Sequence, residues 1–378
     1  MERLRNYIVN HSNQIIDIIA TLQRTERPVC LYGGGVYASI LVERFIALGI
    51  KIKAITVDKQ YAEMSDGVMN SLYGIPVISI DDCRFRFENA YVIVAFNYEY
   101  DNEYSIERRA QNLFGPMADI IFIRAIWIDD IDFISTDYVM RNIVEFENTF
   151  EMLSDKMSKR IMIEYLNARI SGDPRKLHLF QTDFEDDYEM DLLFANEKPG
   201  IIIECGAFDG KSAKQFAQRG SLSHLIYALE PSRHVFEELC KEVSKENDIV
   251  AVNKGVSNFV GSCFLVETRG MQHASLCNTD IEENAETVEV TTIDSLGEGK
   301  QAFLISMDIE GSELSALKGA KNTIQNNHPN LAIRVYHRKD DLITIPQYIN
   351  EISQGKYKFY LRLNSVDFGA YDITLYAL

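Results

Sequence analysis

At 378 residues, with 46% apolar and 25% charged side chains, the chain has a globular composition and is too long for one ordinary hydrophobic core, so more than one domain is expected. A net charge of −18 disfavours nucleic acid or an anionic membrane surface as partner, because phosphates call for clustered Lys and Arg. Its six cysteines form no CxxC pair or metal spacing, and neither a membrane-length apolar run nor a cleavable signal pattern is visible. These features predict a cytoplasmic protein with reduced thiols, free of membrane insertion.

Residues 1–25 read as an amphipathic helix striped by Ile15, Ile16, Ile18, Ile19 and Leu22. A strand–glycine–helix unit follows in "RPVCLYGGGVYASILVERFIALGI", then strands in "KIKAITVD", "PVISI", "AYVIVAF" and "ADIIFI" (118–123). Alternating strand and helix signals of this kind predict a parallel sheet with helices on its faces, a Rossmann-like domain over 1–135. Residues 136–194 change character to "DYVMRNIVEFENTFEML" and "DKMSKRIMIEYLNARI", a helical connector broken at "GDP" (172–174). A second and longer α/β series fills 195–378. Its strands are "GIIIE", "HLIYALE", "DIVAVNKGV", "CFLVET", "TVEVTTI", "AFLISMDI" and "NLAIRVYH". "YKFYLRL" and "YDITLYAL" then add an antiparallel pair at the end of an otherwise parallel sheet.

Two glycine loops carry ligand-binding signals. The first, "GGGVYA" (33–38), matches G-x-G-x-x-A, and Asp58 closes the next strand, which is the spacing of a dinucleotide site. It reads either as a nucleotide site, the basis of an NAD(P)-dependent oxidoreductase, or as a tight turn with close helix–sheet packing, as in a non-catalytic scaffold. The second, "ECGAFDG" (204–210), follows a strand, and Glu230 ends the next one, placed to accept ribose hydroxyls. With "NKGVSN" (253–258) after the third strand, three successive strand ends offer a glycine turn, an acid and a small polar loop at one sheet edge.

The segments "IIIECGAFDGKSAKQF", "IYALEPSRHVFEEL", "VEVTTIDSL" and "FLISMDIEGSELSALKGAKNTIQNNHPNLAI" make residues from about 195 onward resemble the FkbM-type family of S-adenosylmethionine-dependent methyltransferases. The resemblance implies a seven-stranded methyltransferase fold, S-adenosylmethionine as donor, and O-methylation of a sugar or similar hydroxyl compound. It implies that Glu204, Gly206 and Gly210, with Ala207 and Phe208 between them, cradle the methionine part of the cofactor. Glu230, with Pro231 beside it, would take the ribose, Val256 and Ser257 would flank the adenine, and Asp308 would face the reacting methyl. The expected substrate is a sugar nucleotide or glycan; a homo-oligomer stays open. The N-terminal half is similar only to Rossmann-like modules that precede transferase domains.

Moving a methyl group onto a hydroxyl is largely a matter of positioning, but the hydroxyl proton needs a destination. His337, at the end of "NLAIRVYH" beside the strand that ends at Asp308, ranks first as general base. His273, in "ETRGMQHASL" (267–276), ranks second. A rival use of Asp308, Glu310 and His337 is to hold Mg²⁺ or Mn²⁺; Gly311, where the chain must turn, argues against it, and no metal is expected. Glu313 reads as an acid in the first turn of the following helix.

Overall fold

The computed structural model describes residues 3–9, 13–59, 61, 71–96, 103–123, 134–181, 188–267, 274–277, 286–365 and 371–378. The N-terminal part builds a sheet from β1 (Val29–Tyr32), β2 (Ile52–Val57), β3 (Ser71–Leu72), β4 (Ile75–Ser79), β5 (Tyr91–Val94) and β6 (Asp119–Phe122). Its order is β3-β4-β2-β1-β5-β6, parallel throughout except for the β3–β4 hairpin. The four residues of β1 are all buried, as expected of a strand covered on both faces.

The expected single helix over 1–25 is two pieces: a 3-10 turn at Leu4–Tyr7 and a helix at Gln14–Arg24. Asn13 starts the second piece, its side-chain oxygen accepting from Ile15 N at 2.9 Å as an N-cap. Its amide also donates to Arg169 O, and Asn167 bonds both Val9 N and Tyr7 O, so this segment is tied to the long helix Lys156–Ser171. That helix lies in the connector and packs against the far edge of the C-terminal sheet.

The C-terminal sheet contains β7 (Ile201–Cys205), β8 (Ile226–Leu229) and β9 (Ile249–Val252). The chain then leaves it for a four-stranded sheet of β10 (Gly255–Val256), β11 (Gly261–Glu267), β12 (Ala274–Cys277) and β13 (Glu286–Thr291). It returns as β14 (Ala302–Met307), β15 (Asn330–Arg334), β16 (Phe359–Ser365) and β17 (Asp372–Ala377). The seven-stranded order is β16-β17-β15-β14-β7-β8-β9, with β17 antiparallel to both neighbours. The seven-stranded fold with its terminal antiparallel pair is therefore the one expected from sequence.

This topology fixes where a ligand can bind. From β7 the chain runs outward through β8 and β9, then crosses back to β14 on the other side of β7. The helices that follow β7 and β14 thus diverge and open a crevice at the carboxyl ends of these two strands. Both strands are buried along their whole length, so the polar residues that matter come just beyond them. The exposed edge of β16 is covered by the connector: Leu361 N donates to Ser158 Oγ at 2.9 Å, and Arg362 pairs with Asp155 and Glu189 at 2.8 and 2.7 Å. Among the described residues no helix is long and apolar enough to cross a membrane.

Two expectations need correction. "DIVAVNKGV" is not one strand. Asn253 turns its amide onto Glu230 O and Pro231 O, the ladder ends at Val252, and Gly255–Val256 pairs instead with β13. Similarly, "SELSALKGAKNTIQNN" is two helices, Glu313–Lys318 and Lys321–Asn327. They part at Gly319, where a Cβ would sit 2.1 Å from Ser257 O, so the backbones can approach only without a side chain. Asp294 of "TTIDSL" caps the second helix, accepting from Thr323 N at 2.7 Å and Asn322 N at 3.1 Å.

Candidate active site

A cavity of about 660 Å³ occupies the crevice, within the range of small-molecule sites. Its wall includes Gly206, Ala207 and Phe208 after β7, Glu230 and Pro231 after β8, Val256 of β10, and Asp308 after β14. Seven of the residues named for the cofactor from sequence therefore meet around one space.

Glycine is required at the centre of this wall. Gly206 adopts φ +81°, and a Cβ there would lie 1.9 Å from Asp308 O, so the two strand ends close on each other over a bare backbone. The loop is pinned by Gly206 N and Ala207 N, both donating to Leu229 O, and by Asp308 N donating to Cys205 O at 3.0 Å. Two cavity residues, Phe208 and Glu310, hold positive φ without being glycine, a strain met most often at functional positions.

Three of the named residues stand behind the wall. Glu204 is buried at the end of β7, its carboxylate bonded to the Ser212 hydroxyl. Gly210 caps the helix Lys211–Arg219 and faces the helix Arg233–Glu242, where a Cβ would meet Leu239 Cδ1 at 2.7 Å, a close approach that packing alone requires. Ser257 is buried with its hydroxyl 3.2 Å from Ser315 Oγ. Glu230, by contrast, faces the cavity and accepts from Ser232 N at 2.9 Å, which fixes its carboxylate.

Asp308 is the hub. Its carboxylate reaches Arg334 Nε and His337 Nε2, each at 3.4 Å, and remains 32% exposed to the cavity. Burial pushes its carboxyl above the ordinary carboxylate range, and neighbouring Glu310 and Asp372 add to that, while Arg334 and His337 pull back. His337 lies just past β15 with its side chain 7% exposed. Burial alone would favour the neutral ring, but Glu313, 2.8 Å from Nδ1, together with Glu310 and Asp308, lifts it to about 10. Beside these carboxylates the ring favours its protonated form, which bears against the free base expected from sequence. Glu313, buried in full, stays ionised because that imidazolium and the Ile309 N–H outweigh its burial. It is a buried counter-ion, more than an acid placed for the helix dipole. His273 lies outside the described residues.

Sequence reasoning passed over Arg334, Asp372 and Tyr188. Arg334 is buried on β15, donates to Asp372 Oδ1 at 2.8 Å and Thr374 Oγ1 at 2.6 Å, and lies 4.8 Å over the Tyr188 ring. All three line the cavity. A signal was available: an arginine inside an otherwise apolar strand is costly unless a buried acid meets it.

Residues 204–359 match the family model described as the Methyltransferase FkbM domain. A crystal structure of Methyltransferase FkbM from Methylobacillus flagellatus KT is similar over 98% of this chain and 95% of its own, with a TM-score of 0.69 and 21% identity, a likeness of fold. A looser overlap is found with an rRNA methylase from Streptococcus thermophilus, at TM-score 0.33 and 10% identity over 50% of this chain and 92% of that one. Another is with Aeropyrum pernix fibrillarin, solved with natively bound S-adenosyl-L-methionine, at 0.31 and 10% over 51% and 75%. No curated protein matches the chain.

Proposed function

We propose that this chain, whose residues 204–359 match the family model described as the Methyltransferase FkbM domain, is an S-adenosylmethionine-dependent O-methyltransferase acting in the cytoplasm on a sugar hydroxyl of a glycan or its nucleotide-linked precursor. The observation that carries the donor assignment is the acid-rich cavity at the β7–β14 switch point. Asp209, Glu230, Glu238, Asp308, Glu310 and Asp372 line it against Arg334 and Lys254, an excess of negative charge suited to a cationic ligand. The residues fit the donor. Gly206 offers bare backbone beside the Asp308 carbonyl, and Glu230 offers a fixed acceptor one strand away. When bound, S-adenosylmethionine supplies an electrophilic methyl group on a sulfonium.

The chain's own residues account for the rest. Gly206, Ala207 and Phe208 would hold the methionyl end, Glu230 the ribose hydroxyls, and Val256 the adenine side. The acceptor hydroxyl must shed a proton near Asp308. His337, whose ring favours the protonated form beside Asp308, Glu310 and Glu313, would orient and neutralise the acids around it. Proton acceptance falls to Asp308, whose carboxyl is raised toward working pH, unless another cation replaces the imidazolium. The sugar acceptor rests on the family resemblance alone.

The test is a thermal melt with S-adenosylhomocysteine. Wild-type protein gains several degrees at saturating ligand, and Glu230→Ala loses most of that gain. No shift at about a millimolar ligand would remove the donor assignment.

A further inference from the structure

The carboxyl end of β15 sets one histidine among three acids. His337 Nε2 lies 3.4 Å from Asp308 Oδ1 and 3.3 Å from Glu310 Oε2, while Glu313 Oε1 lies 2.8 Å from Nδ1 on the other side of the ring. Both ring nitrogens and Asp308 Oδ1 are buried, and none of the three has a hydrogen-bond partner of good geometry, although Nδ1 stands close to Glu313. The two longer separations lie a few tenths of an ångström beyond the roughly 3.0 Å between neighbouring ligands of an octahedral ion at metal–ligand distances of about 2.1 Å, so a small closing of the side chains would seat one.

Asp308, Glu313 and His337 each bring a ligand-type atom within 4.8 Å of the others. Glu313, however, is wholly buried behind the ring and already accepts from Ile309 N, whereas Glu310 and Asp308 line the cavity. Glu313 therefore has the place of the carboxylate that orients a metal-bound histidine through its second nitrogen. Charge argues the same way. Three carboxylates surround the one ring, and Arg334 also has Asp372 to neutralise. The nearby Arg338 gives its Nε to Gly311 O.

We propose that Asp308, Glu310 and His337 bind one divalent cation of the Mg²⁺/Mn²⁺ class at the cavity, the ion taking the place of the Nε2 proton, which leaves to solvent, with Glu313 orienting the histidine. Two carboxylates and one imidazole form a predominantly hard donor set, and the cavity leaves the remaining positions to water or an acceptor oxygen. Such an ion would make a coordinated hydroxyl more acidic. That task rests on the methyl-transfer reading; the binding itself does not.

Chelator-stripped protein is titrated with MnCl₂, following free Mn²⁺ by its six-line electron paramagnetic resonance signal. One ion per chain is expected, displaced by excess Mg²⁺ and weakened at least about tenfold in Glu310→Gln and in His337→Gln. Circular dichroism confirms folding; if His337→Gln does not fold, Glu310→Gln decides, since its side chain is 24% exposed and reaches the cavity. No uptake below about 1 mM, or undiminished uptake by Glu310→Gln, overturns the site. Melting with S-adenosylhomocysteine on the same samples separates the two ideas. Stabilisation without Mn²⁺ uptake removes the metal alone, and Mn²⁺ uptake without stabilisation removes the donor assignment alone.

Discussion

The loops at Gly33 and Gly206 both set a positive-φ glycine between a parallel strand and a helix, but they differ in what surrounds that turn. At Gly33 a Cβ would meet Ala95 O at 2.6 Å, so the glycine serves strand-to-strand packing, and the acid expected to read a ribose, Asp58, is turned to Arg109 at 3.7 Å in solvent. At Gly206 the contact is with the strand end that carries Asp308, and the acid one strand over is buried, fixed and facing a cavity. A glycine pattern reports a close backbone approach. Whether that approach makes a binding site depends on the side chains that the topology delivers beside it.

The largest effect that tests this contrast is Gly206→Ala. A Cβ 1.9 Å from a backbone oxygen at φ +81° has nowhere to go, since neither partner is a flexible side chain. Strain and clash together should cost about 4 kcal/mol or more, seen as a large drop in the urea midpoint and loss of response to S-adenosylhomocysteine. A variant with wild-type stability would mean that the loop and β14 are not closed on each other.

The next effect concerns charge. In metal-free protein, His337 is raised from its ordinary 6.5 to about 10, so its contribution to stability is complete below about pH 6.5 and is lost as pH rises through about 10. His337→Gln should therefore be destabilised by several kcal/mol at pH 6, because it strands Glu313 and its neighbours without a counter-ion. The gap from wild type should narrow steadily toward pH 10. Urea midpoints of both proteins across pH 6 to 10 check this, and a gap independent of pH would mean that the ring is not charged in the folded state.

That charge shows how far sequence reading reaches. The strands β7, β8, β14 and β15 were legible because each is an apolar run stopped by an acid, a glycine or a histidine, and local pattern is enough to see it. The convergence of Asp308 and His337 was legible too, since adjacent parallel strands bring their carboxyl ends together. What could not be read was the state of the histidine. It depends on Glu313 turning back beneath the ring, although spacing alone makes that residue an ordinary first-turn acid. Nor does spacing tell Arg334 that its partner is Asp372, on a strand added last. The displacement of Gly255 and Val256 into a second sheet accompanies the turn of the Asn253 amide onto Glu230 O and Pro231 O, which hydrophobic patterning does not register.

The smallest expected effect returns to the first loop. Gly35 caps the helix Val36–Ala47 at φ −87°, and a Cβ there would meet nothing within 4 Å. In a dinucleotide site this second glycine is the one that lets pyrophosphate approach the backbone, so a methyl group would block the ligand while leaving the fold alone. Gly35→Ala should shift stability by no more than about 0.5 kcal/mol and leave the response to S-adenosylhomocysteine unchanged. Neither this variant nor wild type should be stabilised by NADH. Stabilisation of wild type by NADH that Gly35→Ala abolishes would give the first loop a ligand of its own, and the two loops would then differ in what they bind, with both of them binding sites.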